Sequence, residues 1–372
     1  MSEYKKIHGI HIQALASDPS NLGSGQVWYN TTSNQLKITA VSTTGSWATG
    51  GNMGTGRYNL AGAGTQTAGL AFGGDSFDND TEHYDGSAWT AGGNMATGRY
   101  GLAGAGTQTA ALGFGGSDPS YTITNATEQY DGSSWTAGGN MATGRYHMGS
   151  AGTQTAGLAF GGAFTGTGET NATEHYDGSA WTAGVNLGTA TYGIAGSGTQ
   201  TAGLAFGGQA VGYTILNATQ HYDGSAWTAG GNMGTARYGL TGCGTETAAL
   251  GLAGDEGGRD SNGHTEHYDG SAWTAGASIF QKNFIGAAGT QTAALAFGYG
   301  GGTSYKTLTN HYDGSTWTAG GNMNTGRGYL AGAGTLSAGL GFGGYDAGIS
   351  SIFNATEEYA GPGIISKTVT SS

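Results

Sequence analysis

The chain has 372 residues, 78 of them glycine, and its 24 acidic residues against 12 lysines and arginines give a formal net charge of −12. Nucleic acid and anionic membrane surfaces are therefore poor partners, because both would be repelled. The single cysteine, Cys243, excludes an intramolecular disulfide framework, and the absence of a long apolar run argues against a transmembrane helix.

Residues 1–45 lie before the repeats that fill most of the chain. Their opening, MSEYKKIHGIHIQALASDPS, has no continuous apolar core, so no secretory signal is expected. Segment 23–39, GSGQVWYNTTSNQLKIT, predicts a hairpin of two short strands around NTTSN. We expect these 45 residues to form a separate N-terminal segment.

A unit marked by one tryptophan recurs seven times from residue 46 onward. The spacings between tryptophans are 42, 46, 46, 46, 46 and 44 residues. A period in the forties with aromatic and glycine positions is typical of a β-propeller blade. The repeat tryptophans, which we predict to be structural, are Trp47, Trp89, Trp135, Trp181, Trp227, Trp273 and Trp317.

Each unit predicts four antiparallel strands joined by short turns. Alternation of apolar and small residues marks the strands, and Asp85-Gly86 is a strong hairpin signal between the last two. The predicted fold class is therefore all-β, a seven-bladed β-propeller of four-stranded antiparallel blades. In the first complete unit the strands are expected at 59–65, 67–74, 81–85 and 88–93.

The two ends of the repeat region complement each other. The last unit ends in NATEEYAGPG (354–363) without a tryptophan, whereas Trp47 and its segment 46–53 have no earlier strands. We expect this N-terminal strand to complete the last blade and so close the propeller over residues 46–361. Residues 362–372 are expected to be a flexible tail.

Most residues that look chemically active recur around the repeat, which argues for structural roles. Neighbouring copies of the histidine before the conserved tyrosine would be too far apart to share a metal ion, so hydrogen bonding between blades is expected. Two convergent carboxylates of a glycosidase are not visible either. We predict no catalytic residue, no metal, no cofactor and no enzymatic activity. The histidines are His83, His175, His221, His267 and His311.

The order of marks within each unit resembles the kelch repeat. A double glycine such as Gly73-Gly74 ends the second strand, a Tyr-Asp turn and a tryptophan follow, and an arginine such as Arg57 opens a unit. The resemblance covers about residues 47–359 and implies a kelch-type propeller. Separately, SDPSN and the GQVWYN phrase resemble the N-terminal segment of bacteriophage tail and tail-fibre proteins.

The connections between the second and third strands are the parts of the repeat that vary most. All seven are expected on one face of the propeller, and loops on a rigid scaffold commonly carry binding residues. Exposed aromatic side chains there would stack on sugar rings. The candidate ligand-binding residues are Phe77, Asp78, Tyr121, Phe164, Tyr213, Asp255, Arg259, Tyr305, Lys306 and Tyr345.

These resemblances imply a non-enzymatic, tail-associated virion protein that is assembled in the host cytoplasm and released in the particle. Its N-terminal segment would attach to other tail proteins, and its loop face would recognise a host cell-surface glycan or protein. Homo-oligomerisation is left open. One alternative is a purely structural virion component, a decoration or tail-assembly disc. A carbohydrate-active enzyme is the third hypothesis.

Overall fold

The structure is a computed structural model that describes residues 12–19, 26–42, 44–75, 78–164, 168–257, 263–279, 285–298 and 306–369. Two compact units are distinguished. The smaller combines residues 1–45 with 361–372, and the larger spans Ser46–Ala360.

The smaller unit contains a four-stranded sheet. Its strands are β1 (Gln13–Leu15), β2 (Val27–Asn30), β3 (Gln35–Ser42) and, from the C-terminal end, β38 (Gly363–Thr368), in the order β1-β2-β3-β38. β2 and β3 form the hairpin expected around NTTSN, and the buried Trp28 donates from Nε1 to Asp18. A flexible tail was expected at 362–372, but β38 pairs antiparallel with β3, which supplies its main-chain partners.

Among the described residues of the larger unit are 34 further strands, β4 to β37, and a 3-10 turn at Val211–Tyr213. β4 spans Ser46–Thr49, and the first sheet contains β5 (Ala61–Thr65), β6 (Ala68–Phe72), β7 (Thr81–Tyr84) and β8 (Trp89–Ala91). The second sheet contains β9 (Ala103–Thr107), β10 (Ala110–Phe114), β11 (Thr127–Tyr130) and β12 (Trp135–Ala137). The third sheet contains β13 (Gly149–Thr153), β14 (Ala156–Phe160), β17 (Thr173–Tyr176) and β18 (Trp181–Ala183), and its loop forms a hairpin of β15 (Ala163–Phe164) and β16 (Gly168–Glu169). The fourth sheet contains β19 (Ala195–Thr199), β20 (Ala202–Phe206), β23 (Thr219–Tyr222) and β24 (Trp227–Ala229), and its loop forms a hairpin of β21 (Gln209–Ala210) and β22 (Thr214–Ile215). The fifth sheet contains β25 (Thr241–Gly244), β26 (Ala249–Leu252), β27 (Thr265–Tyr268) and β28 (Trp273–Ala275). The sixth sheet contains β29 (Gly286–Thr290), β30 (Ala293–Phe297), β31 (Thr309–Tyr312) and β32 (Trp317–Ala319). The seventh sheet contains β33 (Ala331–Gly334), β34 (Ala338–Phe342) and β37 (Thr356–Ala360), and its loop forms a hairpin of β35 (Tyr345–Asp346) and β36 (Ser351–Ile352).

The predicted four-strand unit is confirmed in each repeat. In the first sheet β5, β6, β7 and β8 pair antiparallel in sequence order, with Ala61 opposite Phe72 and Tyr84 opposite Trp89. The Asp-Gly turn is held by the Asp85 carboxylate, which accepts from the amides of Ser87 and Ala88 at 2.8 Å each. An all-β architecture of repeated four-stranded antiparallel sheets follows, as the sequence predicts.

The seventh sheet takes its fourth strand from the beginning of the repeat region. Its order is β33-β34-β37-β4, and Trp47 of β4 lies opposite Tyr359 of β37. The strand expected to complete the last repeat therefore does so. No short turn joins β37 to β4, so their pairing connects opposite ends of the larger unit.

The core lies between successive sheets. Between the second and third sheets, Leu112, Phe114 and Met141 pack against Ala159 and Tyr176. A cluster of the same kind joins the seventh sheet to the first, where Leu340 and Phe342 pack with Met53, Ala71 and Tyr84.

Each repeat tryptophan also donates from its indole nitrogen to a threonine hydroxyl of the preceding sheet. The first sheet makes this bond to the seventh, from Trp89 to Thr356 at 2.8 Å. The other six bonds are Trp135–Thr81, Trp181–Thr127, Trp227–Thr173, Trp273–Thr219, Trp317–Thr265 and Trp47–Thr309.

Candidate functional site

The loops between the second and third strands begin at a sharp turn made by the double glycine. Gly73 and Gly74 have φ angles of +64° and +124°, a region that side chains with a Cβ rarely enter. A Cβ on Gly73 would lie 2.7 Å from the Arg99 carbonyl oxygen, so the close approach itself requires glycine. The loop is thereby turned back toward the residues that precede the first strand of its own sheet.

A buried arginine fixes the two ends of the loop. The Arg145 guanidinium donates to the carbonyls of Gly161 and Ala172, which flank loop 163–170, and pairs with Glu174 at 2.7 Å. Burial lowers the pKa of Arg145, and the charge of Glu174 opposes that shift. The same pairs are Arg57–Glu82, Arg99–Glu128, Arg237–Glu266 and Arg327–Glu357.

The fourth sheet lacks this ion pair, and both members change together. Thr191 stands in the arginine position and Gln220 in the glutamate position. Gln220 still accepts from the Gly188 amide at 2.9 Å, as the glutamates do from the corresponding amides. The buried site therefore stays free of an unpaired charge.

An aromatic groove lies between the loops of the third and fourth sheets. Its volume is about 500 Å³, and we call it the 3/4 groove. Phe164 and Tyr213, two of the predicted binding residues, line it together with the repeat tyrosines Tyr146 and Tyr192 and the single carboxylate Glu169.

The 3/4 groove combines rigid walls with one exposed aromatic tip. The third-sheet loop is a β-hairpin, in which Ala163 lies opposite Glu169. In the fourth-sheet loop Gln209 lies opposite Ile215, and its amide oxygen accepts from the Tyr192 hydroxyl at 2.5 Å. Tyr213 is 87% exposed and has a φ of +63°, an uncommon conformation for a residue with a side chain. Such strain at an exposed loop tip is typical of ligand-contacting positions.

The groove is mildly negative because Glu169 lines it, and the raised pKa values of Tyr146 and Tyr192 keep these two phenols protonated near neutral pH. Burial first, and then the charges of Tyr100 and Glu169, raise the pKa of Tyr146. Burial and Glu169 likewise raise the pKa of Tyr192. Neutral phenol hydroxyls can donate as well as accept hydrogen bonds, whereas Glu169 adds an acceptor.

A second pocket on the same face draws residues from five sheets. Its volume is about 340 Å³, and its lining includes Asn59, His147, Gly193, Gly239 and Tyr329. Main-chain hydrogen bonds join Gly193 to His147 and Gly239 to Gly193, and Asn59 of the first sheet donates to Tyr329 of the seventh at 3.2 Å. Surrounding protein lowers the pKa of His147 through desolvation, although part of the imidazole stays exposed to solvent.

The other predicted binding residues that the structure describes do not line the 3/4 groove. Tyr121 is 70% exposed in the second-sheet loop, and Lys306 is exposed at the end of the sixth-sheet loop. Tyr345 stacks on Tyr58 with ring centroids 4.9 Å apart. Its phenyl ring therefore packs within the loop face.

Two of the predicted acidic residues accept hydrogen bonds from main-chain amides of their own loops. Asp78 accepts from the Asp80 amide at 2.8 Å and lies 3.9 Å from Nε of Arg57. Asp255 accepts from the Gly257 amide at 2.7 Å and from the Tyr238 hydroxyl at 3.4 Å. Three further predicted residues, Phe77, Arg259 and Tyr305, lie outside the described residues.

Sequence reasoning missed Tyr146, Tyr192 and Glu169. The two tyrosines recur in the repeat and were not among the predicted binding residues, but the loops beside them differ from one sheet to the next. Glu169 lies in the variable loop 163–170, and an acidic residue in the same loop as Phe164 is the sequence feature that could have identified it as a binding residue.

Four of the five repeated histidines hydrogen-bond to the following sheet, as predicted, whereas both ring nitrogens of His311 are buried without a hydrogen-bond partner among the described residues, and its ring only packs against Tyr359. His83, His175, His221 and His267 each contact the tyrosine hydroxyl of the following sheet, and burial lowers the pKa of His83, His175 and His267. Within the described ranges, no group of three or more His, Cys, Asp or Glu side chains is arranged to hold a metal ion. No helix in that part of the chain is long and apolar enough to cross a membrane.

Comparisons with known proteins give information about the architecture of the chain and not about its function. No protein-family model matches the chain, and no curated protein is similar to it in sequence. A solved structure described as "Structure of YjhT" is similar with a TM-score of 0.52 at 12% identity, over 82% of this chain and 95% of that one. This likeness supports a propeller-like fold of repeated four-stranded blades.

Proposed function

We propose that this protein is a non-enzymatic recognition protein that binds a carbohydrate in the 3/4 groove. The observation that carries this proposal is the convergence of Tyr146, Phe164, Tyr192 and Tyr213 around one carboxylate, Glu169. Sugar rings present apolar C–H faces that stack on aromatic side chains, and their hydroxyls pair with phenols and carboxylates. Clefts with several aromatic walls and few polar groups are the usual form of a ligand site.

The scaffold in this proposal is a closed seven-bladed propeller of the kelch type. Support comes from the β4–β37 pairing and from the Trp89–Thr356 bond between the first and seventh sheets. Because a closed ring packs every sheet against a neighbour on each side, it would hold neighbouring loops in fixed positions. The two walls of the groove stand on different sheets, so their spacing depends on this rigidity.

The biological setting in this proposal is a bacteriophage tail. Its support is the resemblance of the N-terminal phrase around Trp28 to tail and tail-fibre proteins. The N-terminal segment would join other tail proteins, and the groove would contact a host-surface glycan. Several copies in one particle would turn weak binding into high avidity.

The chemistry of the groove favours binding over catalysis. Glycoside hydrolysis commonly uses two carboxylates that flank the scissile bond. Among the described lining residues of the groove, Glu169 is the carboxylate, and its neighbours are aromatic or aliphatic.

Alanine variants of the two predicted groove residues test the proposal. Binding of the purified chain to host cells and to a panel of surface glycans would be measured for Phe164→Ala and Tyr213→Ala. We expect each change to weaken binding by about tenfold or more, since an aromatic contact contributes roughly 0.5–1.5 kcal/mol beyond its buried area. Ile349→Ala is the matched control, because Ile349 is 66% exposed on the seventh-sheet loop and outside the groove.

Other outcomes discriminate between the hypotheses. Equal losses from Tyr121→Ala and Tyr213→Ala would assign binding to the loop face as a whole and refute a localised groove. Undiminished cell binding by both groove variants, with normal incorporation into particles, would favour the structural virion component.

A further inference from the structure

A glutamine in the turn between the first two strands ties most sheets to the preceding sheet. The Gln108 side-chain amide donates to the carbonyl of Gly69 at 3.0 Å and to that of Tyr84 at 2.7 Å. Each such amide therefore satisfies two main-chain acceptors across a sheet boundary. The equivalent bonds are made by Gln66, Gln154, Gln200 and Gln291.

The fifth sheet has Glu246 in this position, and the bonding changes. A carboxylate has no N–H, so Glu246 cannot donate to the carbonyls of Gly203 and Tyr222, the counterparts of Gly69 and Tyr84. Its Oε1 instead pairs with Nδ1 of His221, whose Nε2 contacts the hydroxyl of Tyr268.

The boundary between the fourth and fifth sheets also contains a recess of about 640 Å³. Glu246, His221, Tyr222 and Tyr268 line it, and the side chains of Glu246 and His221 are 22% and 16% exposed. No lysine or arginine is among its described lining residues. The recess opens beside the short turns, at the end of the sheets opposite the variable loops.

The acceptors at this boundary define the chemistry of a ligand. At five other boundaries two equivalent carbonyls accept from one glutamine nitrogen, and here the carboxylate of Glu246 stands in the place of that glutamine. A primary ammonium group has three N–H donors and one positive charge, which match two carbonyls and one carboxylate.

We propose that the recess between the fourth and fifth sheets binds a primary ammonium group, supplied by a free amine or by a lysine side chain. The ammonium nitrogen would take the place that the glutamine amide nitrogen has elsewhere and would add a charge-assisted bond to Glu246. Tyr222 and Tyr268 would contact the attached methylene groups. This site is separate from the 3/4 groove and does not depend on the carbohydrate proposal.

Titration of the full chain with small amines tests this site. The probes are putrescine and Nα-acetyl-lysine N-methylamide, with Nα-acetyl-norleucine N-methylamide as the uncharged control, followed by saturation-transfer NMR and calorimetry. Glu246→Gln is the informative variant, because glutamine occupies five of the other repeats and its amide would refill the position. Glu246→Leu copies the seventh repeat, where Leu336 stands at this point.

We expect at least one ammonium probe to bind the wild-type chain and the norleucine analogue not to bind. Both variants should weaken binding by about tenfold or more, since a charge-assisted bond is lost, while thermal melting stays at or above the wild-type value for Glu246→Gln. Tighter binding of the lysine probe would identify a protein partner as the source, and tighter binding of putrescine a free amine. Absence of binding to the wild-type chain, or equal binding to Glu246→Gln, would overturn the proposal.

Discussion

The buried arginine–glutamate pair offers a sharp test of how the loops are anchored. The perturbation is Arg145→Thr, alone and combined with Glu174→Gln, which together copy the natural Thr191 and Gln220 of the fourth sheet. The side chains of Arg145 and Glu174 are 0% and 4% exposed and lie 2.7 Å apart. Solvent therefore screens this pair very little.

The expected loss in the free energy of unfolding depends on which buried groups each substitution leaves without a partner. Arg145→Thr removes the donors to Gly161 and Ala172 and leaves Glu174 as a buried charge without its partner. Breaking a buried pair in this way costs about 3–5 kcal/mol in the free energy of unfolding. The double variant removes the charge as well, so its loss should fall to about 1–2 kcal/mol from hydrogen bonds and packing.

The assay is urea unfolding of the wild type, both single variants and the double variant, followed by tryptophan fluorescence. The double-mutant cycle then isolates the coupling between the two positions. We expect the double variant to be more stable than Arg145→Thr alone. If it were equally unstable or less stable, the reasoning that charge balance explains the Thr191–Gln220 combination would be refuted.

Three further predictions concern ring closure, the thiol and an acidic turn. Trp47→Gly should lower the melting temperature more than Trp181→Gly, because β4 has no turn holding it to β37; equal melting temperatures would contradict this role of β4. Desolvation raises the pKa of the partly buried Cys243 thiol to about 12, so its thiolate is scarce at pH 8 and iodoacetamide should label the folded chain much more slowly than the unfolded chain; equal labelling rates would refute this effect of the fold. Hydrogen bonds from the Ser134 and Ser133 segments lower the pKa of Asp131 to about 2, so its stabilising effect should persist above about pH 4 and disappear as the pH falls toward 2. Melting curves of Asp131→Ala and wild type should therefore converge at low pH, and a constant difference would argue against this turn.

Much of the fold could be predicted because the same pattern of strand and turn residues occurs in seven repeats. Tryptophan spacing and the Asp-Gly turns identified the four-stranded units, and the missing tryptophan after residue 359 identified Trp47 as the completing strand. Local patterns were sufficient for the four-stranded units because, apart from β4 with β37, each strand of the larger unit pairs with a near neighbour in the chain. The kelch, bacteriophage and host-recognition assignments stay predictions.

The binding site was less accessible to sequence reasoning. Phe164 and Tyr213 were selected as exposed loop aromatics, but their shared groove depends on how two sheets lie side by side. Tyr146 and Tyr192 were not among the predicted residues; each combines a repeated position with a unique neighbouring loop.

The repeated unit, its strand order and the positions where copies differ could be predicted from the amino-acid sequence, because they depend on periodicity and turn chemistry. Which of the differing positions lie close together in space became clear from the three-dimensional structure. It placed the tyrosines beside Glu169 in one groove, and it set Glu246 against His221 instead of the carbonyls. The physical reason is that contacts across a sheet boundary join residues many positions apart in the chain, and no local pattern records them.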